Sequence, residues 1–124
     1  MSLAAGQLAL MKRVATMPDA PNVVWPNGEP ADLPRLVMQP SGGGQSVATI
    51  SGVTDATPEI VVRVETESGQ FTGASDALVA ALMDRFKPGD RFDGVRIIAA
   101  PQPRAPIEGT PYVVPVVIRG RQFF

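Results

Sequence analysis

Three short constellations in this chain carry residue types that could do chemistry. Glu65 and Glu67 lie two apart on the clearest strand pattern of the sequence, so they share one face, and acid/base hydrolysis uses carboxylates paired in that way. Arg63 shares the face as well. A guanidinium beside carboxylates keeps them ionised, which opposes a general acid with a raised pKa and favours a salt network, either solvated or between subunits. The stretch Asp90-Arg91-Phe92-Asp93-Gly94 sets two carboxylates three residues apart on a turn. Calcium takes about six or more oxygens, so two side chains read as a turn and not as an ion site. Gly42-Gly43-Gly44-Gln45-Ser46 has the glycines of a phosphate cradle but neither the Lys before Ser or Thr nor the helix that must follow. The chain has no Cys and no His, which removes disulfides, thiolate and imidazole catalysis, and the usual zinc sites. No cofactor and no metal are expected.

With 124 residues and 13.1 kDa the chain fits a single domain, residues 1–124, large enough to bury a core without covalent staples. Eleven Lys and Arg against twelve Asp and Glu leave a net charge of -1, which argues against a binder that holds many nucleic-acid phosphates. The basic residues are nearly all Arg, scattered from Arg13 to Arg121, and planar guanidinium groups suit contacts between proteins. No run reaches the roughly 20 apolar residues of a membrane-spanning helix. In the apolar opening, Lys12 and Arg13 follow the apolar part instead of preceding it, and no small-residue cleavage site comes after. A soluble protein that stays inside the cell making it is expected.

The elements that must position these residues follow from pattern and punctuation. Ser2 to Met17 is rich in helix formers, with Leu3, Leu10, Met11, Val14 and Met17 on one side, Ser2 as cap and Pro18 as stop. Asn22 to Trp25 is a brief strand closed by a Pro26-Asn27-Gly28 turn. Leu33 to Gln39 is a second strand. The glycines at 42–44 predict a mobile hairpin tip, because each loses much backbone freedom on ordering. Val47 to Ser51 then resumes a strand and Gly52 to Thr57 turns again. Glu59 to Thr66 alternates, with Ile60, Val62 and Val64 on the core side and Val61, Arg63 and Glu65 on the other. Ala74 to Phe86 is a helix with the stripe Leu78, Ala81, Leu82 and Phe86, capped by Thr72 or Ser75 and stopped by Lys87-Pro88-Gly89. Val95 to Ala100 and Thr110 to Arg119 are two final strands around a Pro-laden loop, 101–109. Pro115 lacks a ladder donor, which predicts an edge or a bulge there. The sum is α+β: a mostly antiparallel sheet with two helices packed on one face, in the order α-β-β-β-β-α-β-β.

Candidate contact residues remain. Trp25, the only Trp, reads as a core or interface anchor. The end of the chain, Gly120-Arg121-Gln122-Phe123-Phe124, sets two adjacent Phe with no polar residue after them. They must tuck onto the core or meet another chain.

Taken together, the short N-terminal helix, the Trp25-Pro26-Asn27 turn, the strand Pro58 to Thr66, the Gly73-Ala74-Ser75-Asp76-Ala77-Leu78 helix ending in Asp84-Arg85-Phe86, and the strand Pro111-Tyr112-Val113-Val114-Pro115-Val116 resemble one family. It is the tail terminator or tail completion proteins of long-tailed bacteriophages, prophages and gene transfer agents. The resemblance covers most of the chain but includes no chemically diagnostic motif.

The resemblance implies a non-enzymatic virion structural protein that forms a homo-oligomeric, hexameric ring on the tail tube. The ring ends tube polymerisation and joins the tail to the head connector. Its partners are further copies of itself, the tail tube protein and a head-tail connector or stopper. DNA is free to pass through the lumen without specific binding, and no membrane is involved. The expected location is the head-proximal end of the virion tail, with host cytoplasm during assembly.

A closed ring needs two different contact patches per subunit. The candidates are the strand face Val61, Arg63 and Glu65, together with Trp25 and the apolar end Phe123 and Phe124. The 42–44 tip and the 101–106 loop are expected as fingers that order on docking. The competing readings are a head-tail connector or tail tube subunit, a small monomeric peptide-binding module using the sheet edge near Pro115, and a hydrolase built on Glu65 and Glu67.

Overall fold

The computed structural model of the protein describes residues 2–47, 52–69 and 72–124. The elements run α1 (Leu3–Ala15), β1 (Asn22–Val24), β2 (Arg35–Val47), β3 (Thr54–Thr66), α2 (Gly73–Arg85), β4 (Arg91–Phe92), β5 (Val95–Ile97), β6 (Gln102–Pro103) and β7 (Tyr112–Phe123). The fold is α+β. Seven strands form a sheet in the order β1-β2-β3-β7-β5-β4, with β6 beside β7. Every pairing is antiparallel except β1 with β2.

The alternation in β3 decides the layers. Ile60, Val62 and Val64 stand opposite Ile118, Val116 and Val114 on β7, while Val64 and Val62 stand opposite Leu36 and Met38 on β2. All eight are buried, and they form one core with Leu10 and Val14 of α1, Leu82 of α2 and Phe86 just beyond it. Both helices therefore cover this face. Ser2 caps α1 as expected, its hydroxyl accepting from the Ala5 amide at 3.1 Å. Thr72 stands at the cap position of α2 but directs its hydroxyl to Asp76 at 3.1 Å, and no side chain caps the helix backbone. Arg13 ties the two helix ends together. Its Nε donates to the Arg85 carbonyl at 2.9 Å, the Arg85 Nε returns a bond to the Arg13 carbonyl at 3.2 Å, and the Arg13 guanidinium lies 4.4 Å from the Phe92 ring centre.

Several sequence expectations are corrected. The glycines at 42–44 are not a hairpin tip. They lie inside β2, which runs past them with a one-residue bulge between Pro40 and Gly43. Gly43 has φ 136°, and a Cβ on it would lie 2.7 Å from the Thr57 carbonyl, so close strand approach and not mobility explains glycine there. The turn expected from Gly52 to Thr57 gives way at Thr54, where β3 begins. The strand expected from Val47 to Ser51 lies outside the described residues beyond Val47, which ends β2.

The Asp90–Gly94 turn is the centre of a hairpin. Asp93 and Gly94 have φ 47° and 80°, the sign pattern that a two-residue turn between β4 and β5 needs. The loop 101–109 contains β6, and the final strand continues to Phe123. The observed order is thus α-β-β-β-α-β-β-β-β.

Pro115 is not on an open edge. β7 lies between β3 on one side and β5 and β6 on the other. The Pro115 carbonyl accepts from the Arg104 amide at 2.7 Å, so the missing N–H also faces the β6 side, where pairing is short, and the β3 ladder loses nothing.

Candidate functional site

The sheet face turned away from the helices carries Arg35 and Val37 of β2, the odd-numbered residues of β3 from Asp55 to Glu65, and those of β7 from Val113 to Phe123. Ion pairs cross it in rows. Glu65 takes Arg35 Nε on Oε1 at 2.7 Å and Arg63 Nη2 on Oε2 at 3.2 Å. Glu59 takes Arg119 at 2.7 and 2.9 Å and accepts the Ser41 hydroxyl at 2.7 Å. Asp55 takes Arg121 in a two-point pair at 2.7 and 3.0 Å. Between the rows Val61 and Pro115 are half-buried, while Val113 and Val117 are buried.

These contacts shift the acids in one direction. The Ser41 hydrogen bond first, and the Arg119 guanidinium after it, hold the Glu59 carboxyl below its ordinary 4.5 against the opposing effect of burial. The Arg121 hydrogen bond holds Asp55 below its ordinary 3.8. Both groups are ionised acceptors at neutral pH.

The residues singled out from sequence are distributed as follows. Val61, Arg63 and Glu65 do share this face, with Arg63 exposed and Glu65 only 3% exposed under two guanidinium groups. Glu67 lies beyond the end of β3 and is exposed. Asp90 is half-buried and its carboxylate is already engaged within the chain. Its Oδ2 accepts from the Lys87 amide at 3.1 Å and pairs with Arg13 at 3.3 Å. Among the described residues no group of three or more acidic side chains converges. Trp25 follows β1 directly, is 37% exposed, and opens a turn in which its carbonyl accepts from the Gly28 amide at 2.8 Å. Phe123 is 54% exposed, with the Arg121 guanidinium 5.0 Å from its ring centre. Phe124 is half-buried, and its backbone pairs with that of Thr54.

Sequence reading missed one feature. Arg91, Arg96 and Arg121 are brought into register across β4, β5 and β7, and with Val95, Ile98 and Phe123 they line a concave surface of about 370 Å³. The Asp93-Gly94 dipeptide was the available signal, since a two-residue turn there sets Arg91 opposite Arg96.

No protein-family model matches the chain, and no curated protein matches it. Among solved structures, a chain from the virion of a native gene transfer agent particle is similar with a TM-score of 0.66 at 16% identity, over 99% of this chain and 98% of that one. A second solved chain is similar with a TM-score of 0.57 at 20% identity, over 100% of this chain and 98% of its own length. At these identities the likeness concerns the fold.

Proposed function

We propose that this protein is a virion structural protein, a tail terminator whose copies close into a hexameric ring at the head-proximal end of a tail tube. The ring ends tube growth and presents a surface to the head-tail connector or stopper. The observation that carries this reading is the end-to-end likeness of fold to a chain of a gene transfer agent virion. The physical features agree with it. The sheet is closed at its two ends by different strands, β1 and β4, so a subunit has two unlike sides to offer, as a ring of head-to-tail contacts requires. Exposed apolar side chains sit near both sides, Trp25 after β1 and Ile98 and Phe123 beside β5. The peptide-binding alternative has lost the edge it needed, since β6 and the Ile107 bridge occupy the flank of β7 around Pro115.

Molar mass in solution by light scattering, followed by negative-stain images with and without purified tail tubes, tests the reading. Closed rings, alone or seated on tube ends, support it. Open tubes formed by the protein alone would assign it to the tube. A monomer that also leaves tube ends bare would overturn assembly altogether. Phe123→Ser serves as a companion variant. Half of that ring is already in solvent, so the melting temperature should stay within a few degrees while association weakens.

A further inference from the structure

One arrangement works against the stability of the isolated chain. Arg91 stands opposite Arg96 in the β4–β5 pair, and Arg96 stands opposite Arg121 in the β5–β7 pair. Directly opposed residues share a face with Cβ atoms about 5 Å apart, and like charges so placed repel. Three guanidinium groups thus form one row. Asp55 neutralises Arg121. Among the described residues neither Arg91 nor Arg96 has an ion pair or a hydrogen bond from its side chain. The row borders the 370 Å³ concavity, whose remaining wall is mostly apolar, with Val95, Ile98 and Phe123 beside Gly94 and Gln122, and with Ile98 and Phe123 about half exposed. Two uncompensated cations against an apolar wall match a partner that brings two carboxylates and an apolar side chain.

The chain itself holds such a segment. The loop between β1 and β2, at the opposite end of the strand order, carries Glu29 and Asp32, both exposed and without an ion pair among the described residues. Trp25 stands at its start, 37% exposed. The backbone of the loop is tied down, leaving the carboxylates outside the bonding. The Arg35 Nη1 donates to the Ala31 carbonyl at 2.6 Å, and the Asn22 Nδ2 donates to the Asp32 carbonyl at 3.0 Å. Pro26, Pro30 and Pro34 restrict it further, so little freedom remains to be lost on docking.

We propose that the Arg91, Arg96 and Phe123 cleft of one copy receives the Glu29–Asp32 loop, with Trp25, of a second copy. The inference rests on the ring reading and deepens it by naming the two surfaces. It is a heterologous contact, so each copy keeps a free cleft and a free loop until the ring closes.

Charge exchange tests it. Native mass spectrometry and sedimentation at low salt would compare the wild-type chain, Arg91→Glu with Arg96→Glu, Glu29→Arg with Asp32→Arg, and an equimolar mixture of the two double variants. All four positions are exposed, and unchanged melting curves would confirm that the variants fold. Each double variant alone should associate at least about tenfold more weakly than wild type, because like charges then meet across every contact. The mixture should recover association in alternating copies, since an acidic cleft meets a basic loop and a basic cleft meets an acidic one. Double variants that associate as well as wild type would overturn the inference and leave the ring standing. Weakened variants that the mixture does not rescue would also overturn it, and would point to an acidic segment of another protein. A wild-type chain that stays monomeric, on tube ends as in solution, would overturn the ring and the inference together.

Discussion

Gly120→Ala should destabilise this protein for a reason that can be isolated. Gly120 lies in β7 opposite Ile97 of β5, and this pairing helps hold the β4–β5 hairpin against the main sheet. A Cβ built on Gly120 falls 2.4 Å from Val95 Cγ1, whereas ordinary contacts begin near 3.4 Å, so about 1 Å of movement is required. Val95 is 1% exposed and branched at Cβ, so its χ1 is stiff and turning away from the added methyl is restricted. Forcing an extra methyl into a packed site costs about 1–3 kcal/mol. Replacing Gly by Ala recovers about 0.4–1 kcal/mol by restricting the unfolded chain. Overpacking wins, with a net loss of about 1–2 kcal/mol. With an unfolding entropy near 2.1 cal/mol/K per residue, that loss lowers the melting temperature of a 124-residue domain by about 4–8 °C. Urea unfolding of Gly120→Ala, Val95→Ala and the double variant is the assay. Val95→Ala removes the clashing methyl, so the pair should be more stable than the sum of the single losses by about 1 kcal/mol. A Gly120→Ala loss below about 0.5 kcal/mol, or strict additivity with Val95→Ala, would refute the contact as the cause.

Three further outcomes follow from the same structure. Glu65→Ala leaves Arg35 and Arg63 without their shared carboxylate; because both retain solvent, the expected loss is about 2–3 kcal/mol, below the range for fully buried pairs, and a loss under about 1 kcal/mol in urea unfolding would mean that the pair contributes little. Gln122 is 1% exposed, its Nε2 donates to the Ser2 carbonyl at 2.8 Å, and its Oε1 has no partner among the described residues, so Gln122→Met exchanges one bond of about 1 kcal/mol for relief of an orphan acceptor and should leave the melting temperature unchanged or higher. Glu59 and Asp55 both have folded-state pKa values below the ordinary 4.5 and 3.8, so the stability they contribute is complete above those values and is lost as pH falls through the folded ones. Carboxyl titration by NMR should show Glu59 moving up toward 4.5 in Ser41→Ala, and an unmoved titration would remove Ser41 as the cause.

Local signals made some elements legible and left others hidden. α1 could be read because helix formers, a Ser cap and a Pro stop all lie within one segment, and the alternation of β3 gave both its faces at once. The start of β2 was legible, but its continuation was hidden because the glycines at 42–44 are poor strand formers taken alone, and only pairing to Thr57 and Pro58 across the bulge holds them extended. The edge expected at Pro115 failed for a related reason. Which side of β7 lacks a donor depends on β6, a two-residue strand with no pattern of its own. Val61, Arg63 and Glu65 were placed correctly on one face, yet the partner that buries Glu65, Arg35, is set by register and not by spacing. The arginine row lay further out of reach. Its members come from three strands, and Arg121 is separated from Arg96 by the whole proline-rich segment.

The distribution of charge over this fold then takes on a meaning that the net value of -1 conceals. Where β2, β3 and β7 form the open face, Glu65, Glu59 and Asp55 are matched to arginines within the chain, so that part of the face has little electrostatic demand left for a partner. Arg91 and Arg96 at β4 and β5, and Glu29 and Asp32 beside β1, have no ion pair among the described residues and lie toward opposite ends of the strand order. Electrostatic contacts of this kind govern rate and register more than affinity, and at physiological salt they reach only about 8 Å. The affinity of the proposed contact between copies would therefore come from the apolar groups beside the charges, Trp25 at one end and Ile98 and Phe123 at the other. In the proposed ring, a surface that is selective through its charges and only modest in its apolar area would fix which sides of neighbouring copies meet, while the apolar groups hold them together.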